Sequence, residues 1–151
     1  MKRIMFVCHG NICRSPMAEF VLKDLVKKAG KESEFLIESS AVSAEEIWGD
    51  VGNPVYRPVQ ALLAARGISC EGKRATQLQR EDGEKYDAFY CMDESNLRRA
   101  KSILGAKNGA KCHKLLSLLG SSADVADPWY TRDFERSYRE IYAACKALID
   151  E

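Results

Sequence analysis

The stretch VCHGNICRSP, residues 7–16, gathers two cysteines, an arginine and a Ser-Pro pair, with Gly10 and Asn11 between them. An apolar run precedes it, so Cys8 ends a strand, and Arg14 lies six residues on, where Ser15 and Pro16 start a helix. The intervening amides, from His9 through Gly10, Asn11, Ile12 and Cys13, can curl around one point facing the helix N-terminus, a geometry that suits a tetrahedral oxyanion such as phosphate. Gly10 and Asn11 are residue types that tolerate the left-handed backbone a tight cradle requires. The planar fork of Arg14 holds two phosphate oxygens at once, which the point charge of a lysine does less well. The same positive field acts on Cys8 and favours its thiolate, the nucleophilic form. Ser15 is placed to hydrogen-bond that sulfur, to cap the helix, or to do both.

A thiolate that attacks phosphorus must expel the ester oxygen, and an aryl leaving group with a pKa of ~10 benefits from a proton donor. Asp127, in the segment ADPWY, is the candidate general acid and afterwards the base that activates the hydrolytic water. Trp129 and Tyr130 beside it can wall a slot for an aromatic ring.

Elements must hold these groups in register. RIMFV (3–7) reads as a strand buried on both faces, and Ala18, Val21, Leu22, Leu25 and Val26 give the helix that follows, closed by Gly30. FLIESS (35–40), YDAFYCMD (86–93) and KCHKLL (111–116) read as further strands, and PVYRPVQALLAARG (54–67) as a helix with Pro58 in its first turn. A helix starts around DESNL (93–97). The last helix carries one apolar stripe of Phe134, Tyr138, Ile141, Tyr142, Cys145, Leu148 and Ile149, with Asp133 as N-cap. Segments 41–53 and 120–133 read as loops. The alternation implies a doubly wound α/β fold: a four-stranded parallel sheet flanked by helices, a flavodoxin-like three-layer sandwich with its phosphate-binding loop after the first strand.

With 151 residues, 46% hydrophobic and 30% charged, the chain fits one globular domain spanning 1–151. A net charge of +1 supplies no strong field for nucleic acid or an anionic membrane, and no apolar run is long enough to span a bilayer. Six scattered cysteines in a chain that can build a core point to reduced thiols and a cytoplasmic location, with Cys70, Cys91, Cys112 and Cys145 as packing residues. A monomer without a cofactor or metal is the expectation.

VCHGNICRSPMAE (7–19), SSAVS (39–43), GNPVY (52–56), YCMDESNL (90–97) and DPWY (127–130) together resemble the low-molecular-weight protein tyrosine phosphatase family over most of the chain. The resemblance implies Cys8 as nucleophile, Arg14 as phosphate clamp and Asp127 as general acid, acting on a phosphotyrosine protein or a small aryl phosphate. It further implies that Asn11 and Ser40 brace the loop, that Cys13 forms a protective disulfide with oxidised Cys8, and that Trp48 and Trp129 lie near the pocket mouth. The chain departs from the family pattern at 71–77, where Gly72 and Lys73 stand in the stretch in which many relatives carry a loop-bracing histidine. The resemblance also implies that His9 faces substrate, at a position that varies in the family.

Other readings compete. Cys8 and Cys13 at this spacing also suit two zinc ligands, but no second pair with zinc-finger spacing appears. For an arsenate reductase on the same fold, resemblance implies two further redox cysteines a few residues apart near the third strand, and Cys91 has no such neighbour. A protein-arginine phosphatase usually has threonine where Ile12 stands, and apolar Ile12 suits an aryl ester better. A cysteine phosphocarrier gains nothing from Asp127, a group that activates water.

Overall fold

The computed structural model describes residues 1–150. Strand β1 (Lys2–Cys8) enters helix α1 (Arg14–Lys28) through the Cys8–Arg14 loop, and β2 (Phe35–Ala41) follows. Next come the short strands β3 (Ile47–Trp48) and β4 (Val51–Gly52), then α2 (Arg57–Ala64), α3 (Asp82–Lys85) and β5 (Ala88–Cys91). The chain continues through α4 (Glu94–Leu104), α5 (Ala106–Gly109), β6 (Cys112–Lys114), a 3-10 turn (Leu115–Leu119), α6 (Pro128–Thr131) and α7 (Phe134–Ile149). The main sheet is parallel throughout, in the order β2-β1-β5-β6. It is the four-stranded, helix-flanked α/β sheet that the alternation of elements implies.

β1 is buried on both faces because apolar residues fill both sides of its pleat. Ile4, Phe6 and Cys8 join the core shared with α1, α2 and α7, whereas Met5 and Val7 join the core shared with α4. The strand order reverses direction between β1 and β5, so the loops leaving their carboxyl ends diverge and open a crevice there. The loop after β1 lies at that crevice.

Several elements differ from the sequence reading, each for a local reason. The helix expected from residue 54 begins at Arg57, because Tyr56 is extended (φ −56°, ψ 134°) and its amide donates to Ile12 O at 2.8 Å. Residues 54–56 thus serve the Cys8–Arg14 loop before the helix starts. The strand expected over 111–116 ends at Lys114 and passes into the 3-10 turn, which Gly120 closes in the left-handed region (φ 73°). The segment 41–53 contains the β3–β4 hairpin, turned by Gly49 at φ 65°, and 120–133 contains α6. Tyr142, expected on the apolar stripe of α7, is 40% exposed and only abuts Tyr138 at 5.9 Å between ring centroids. Among the described residues no helix is long and apolar enough to cross a membrane.

Candidate active site

The loop after β1 turns its carbonyls outward. Cys8 O accepts from Val42 N at 3.0 Å, His9 O from Ser43 N at 3.1 Å, Ile12 O from Tyr56 N at 2.8 Å and Cys13 O from Met17 N at 3.1 Å. Ser43 Oγ adds a second donor to His9 O at 3.0 Å. With these carbonyls engaged, Asn11 N approaches Cys8 Sγ at 3.3 Å. Asn11 alone in this loop takes a positive φ, 60°. Gly10 does not, so its role differs from the expected left-handed turn: a Cβ there would meet Glu46 Cγ at 3.1 Å. Its missing side chain admits the Glu46 stem.

Side-chain hydrogen bonds tie the loop to the core. Asn11 Oδ1 accepts from Thr76 N at 3.0 Å, which fixes the amide so that Nδ2 donates to both Ser15 Oγ (2.8 Å) and Ser39 Oγ (2.9 Å). Ser39 Oγ donates to Glu19 Oε1 at 2.5 Å. Ser15 Oγ, already accepting from Asn11, has its own proton free for Cys8 Sγ at 3.0 Å. The sulfur therefore collects an O–H and an N–H donor. Ser15 meets the sulfur, and α1 starts without a side-chain cap.

Ser40 does not belong to this network. Its buried Oγ has no hydrogen-bond partner, whereas Ser39 makes the expected contact with Asn11. Successive residues of β2 point to opposite faces, so the bracing serine is 39. Lys73 reaches this network instead: its Nζ donates to Ser39 O at 2.9 Å and lies 3.4 Å from Glu19 Oε1, with Lys23 on Glu19 Oε2 at 2.6 Å.

Arg14 is buried, held by Val125 O (3.0 Å) and Asp93 Oδ2 (3.0 Å), with Asp127 Oδ2 at 3.5 Å. Burial opposes its charge, but Cys8, Asp127 and Asp93 outweigh that penalty and hold the guanidinium pKa above its ordinary value. Asp93 also caps α4, accepting from Asn96 N at 2.8 Å. Asp127 caps α6 through Trp129 N at 3.0 Å. Burial, followed by the charge of Cys8, pushes the Cys13 thiol up to about 12 despite Arg14. Both Cys8 and Cys13 are free thiols.

A cavity of about 560 Å³ is lined by Cys8, His9, Ile12, Cys13, Arg14 and Asp127, with Trp129, Tyr130, Glu45 and Glu46 at its walls. Trp129 and Tyr130 are 62% and 82% exposed, and Trp129 leans on Tyr56 at 5.6 Å between centroids. Trp48, expected near the mouth, is not among the lining residues and is 73% exposed on the hairpin, so Glu45 and Glu46 take that wall. His9 Nε2 lies 2.9 Å from Glu45 Oε2, and Arg99 Nη1 donates to Nδ1 at 3.3 Å, which leaves the proton on Nε2. A larger hollow of about 670 Å³ between α1 and β2 contains no nucleophile from this loop.

Asp93, Ser39, Glu19, Lys73 and Tyr56 escape the sequence reading as site residues. Asp93 carried a signal, an Asp at a helix start directly after a strand end. Cys91, without a neighbour in sequence, does have one in space: its thiol is hydrogen-bonded to Cys112 on β6, which raises its pKa well above the ordinary value while that of Cys112 falls. Both sit in the core on the α4 side of the sheet, whereas Cys8 faces the other core. Among the described residues, no group of three or more His, Cys, Asp or Glu side chains is placed to hold a metal ion.

Residues 3–151 match the family model for low molecular weight phosphotyrosine protein phosphatase. The low molecular weight protein-tyrosine-phosphatase YfkJ of Bacillus subtilis is 37% identical over 99% of this chain and 94% of its own length. Its crystal structure superposes with a TM-score of 0.91, covering 99% of this chain and 93% of that one. The low molecular weight phosphotyrosine protein phosphatase of Gallus gallus is 36% identical over 100% of this chain and 96% of its own. A Drosophila arginine phosphatase shares the fold at a TM-score of 0.87 with 27% identity, covering 99% of this chain and 96% of that one. With a family model matched over residues 3–151 and relatives similar over nearly the whole length, the chain belongs to the low molecular weight phosphotyrosine protein phosphatase family.

Proposed function

We propose that Cys8, Arg14 and Asp127 carry out the hydrolysis of phosphotyrosine and small aryl phosphates in this protein, a cysteine-based phosphatase by family. The observation that carries the assignment is the meeting of all three side chains in one cavity of about 560 Å³. The substrate dianion sits against the loop amides and the Arg14 fork. Cys8 Sγ attacks phosphorus; the S–P bond forms as the P–O bond breaks, and Asp127 delivers a proton to the departing phenol oxygen. Water then attacks the phosphocysteine and gives its proton to the Asp127 carboxylate. The P–S bond breaks, releasing inorganic phosphate and a thiolate stabilised by Ser15 Oγ and Asn11 N. Trp129 and Tyr130 pack the aryl ring.

Cys13 is the partner of oxidised Cys8: peroxide converts the thiolate to a sulfenic acid, which condenses with the Cys13 thiol to a disulfide and water. Six free cysteines suit a reducing, cytoplasmic setting.

Phosphoarginine is the second reading, favoured by the fold shared with the Drosophila arginine phosphatase. Ile12 opposes it, since this apolar side chain lines the cavity and offers a guanidinium no hydrogen-bond acceptor. Hydrolysis of phosphotyrosine, phosphoarginine and phosphoserine peptides should favour phosphotyrosine, and Cys8→Ser should release no phosphate from any of them. Faster turnover of phosphoarginine would reassign the substrate, and sustained turnover by the serine variant would reassign the nucleophile.

A further inference from the structure

Residues 121–127 lead to Asp127 without regular structure of their own. Groups from other elements hold them. Val125 N donates to Met92 O at 2.8 Å, and Arg14 Nη1 donates to Val125 O at 3.0 Å. The next residue is gripped by α7 alone: Ala126 N donates to Glu140 Oε1 at 2.8 Å, and Ala126 O accepts from Ser137 Oγ at 2.7 Å. Ser137 and Glu140 stand three residues apart on one helix face, so both polar groups of Ala126 are seated on a single rigid element. The Ser137 hydroxyl is fully buried on a helix whose inner face is otherwise apolar, a costly site for a polar group unless its bond is used. The Asp127 carboxylate emerges directly from this grip, with Oδ1 on Trp129 N at 3.0 Å and Oδ2 turned toward Arg14 at 3.5 Å.

We propose that Ser137 and Glu140 are positioning residues for Asp127, clamping the preceding peptide so that Oδ2 meets the ester oxygen. The inference rests on the reading of Asp127 as the general acid. Proton transfer to that oxygen, as the P–O bond breaks and the S–P bond forms, needs a heavy-atom approach of about 2.6–3.2 Å. A loop free to swing loses that approach. The nucleophile and the amide cradle, built on β1 and α1, stay where they are. The damage therefore concentrates on leaving groups that need the proton.

The test measures kcat/KM, which reports the phosphorylation step, for p-nitrophenyl phosphate and phenyl phosphate. Ser137→Ala and Glu140→Ala should each lose about tenfold more rate on phenyl phosphate than on p-nitrophenyl phosphate. Glu140→Gln, whose amide oxygen still accepts from Ala126 N, should rescue the leaving-group dependence lost in Glu140→Ala. Combined with Asp127→Ala, the Glu140→Ala change should add no further leaving-group selectivity. A purely structural defect lowers both substrates alike and would leave the ratio unmoved. Equal losses on both substrates in the clamp variants, with Asp127→Ala still selective, would overturn the clamp and spare the acid, as would a glutamine variant no better than the alanine one. An Asp127→Ala variant without leaving-group selectivity would overturn the acid reading itself.

Discussion

At the scale of single residues, the thiolate cradle depends on side chains that never touch substrate. Glu19 is buried under Ser39 and faces two lysines, of which Lys73 also holds Ser39 O. Replacing Lys73 by Met strips a buried carboxylate of one of its two cations and should cost about 3 kcal/mol of stability. Adding Glu19→Gln removes the charge left behind and should recover much of that loss, so a urea-unfolding cycle over the single and double variants reads the coupling. Additive losses would show that the pair does not brace the loop. Cys8, Arg14 and Asp127 are legible in the sequence because their residue types are chemically rare together and their spacing fits a strand-loop-helix turn. Ser39 is not legible against Ser40. A one-residue step along a strand exchanges its two faces, and only the register of β2 against β1 decides which serine meets Asn11.

Elements bring the distal parts of the site to the loop, and here the sequence is informative in its periodic stretches and silent between them. β1, α1 and α7 declare themselves by long apolar patterns, whereas the β3–β4 hairpin is two residues paired with two and has no pattern to read. Its position comes from tertiary contact at Gly52, where an added Cβ would fall 1.9 Å from Ala75 O. Ala75 N in turn donates to Asn53 O at 2.9 Å, joining the hairpin to the segment that carries Thr76 and Lys73. Gly52→Ala must push these backbones apart, which should destabilise the fold by about 1–3 kcal/mol. Because Glu45 and Glu46 lead into this hairpin and line the cavity, the same change should raise KM for an aryl phosphate more than it lowers kcat. Thermal unfolding and steady-state kinetics of this variant check both statements; unaltered stability would mean that the backbones yield without cost.

For the whole molecule, the ionisable groups in the core make stability asymmetric in pH. Burial raises the thiol pKa of Cys13 to about 12 and lifts those of Cys70 and Cys145. Its hydrogen bond to Cys112, together with burial, raises that of Cys91, and burial raises the phenols of Tyr86 and Tyr138. Cys112 shifts the opposite way. A free thiol ionises near pH ~8.5, so above that point the unfolded chain sheds protons that the folded chain keeps. The folded state then binds more protons, and each fully buried thiol lowers unfolding free energy by about 1.4 kcal/mol per pH unit until its folded pKa is reached. On the acid side, Asp87 and Asp124 have lowered pKa values through bonds to Arg3 and Lys114, which stabilise the fold above the ordinary carboxylate range and are lost as pH falls through the folded values. Those bonds lie at the surface, where water and salt screen them. Urea midpoints should therefore hold nearly level from pH 5 to 8 and fall steeply above pH ~9. Cys145→Ala, which removes one fully buried thiol, should be less stable at pH 7 yet lose stability more slowly above pH ~9, its slope shallower by about 1.4 kcal/mol per unit. Parallel slopes for the variant and the parent would mean that the buried thiols do not set the alkaline limit of this fold.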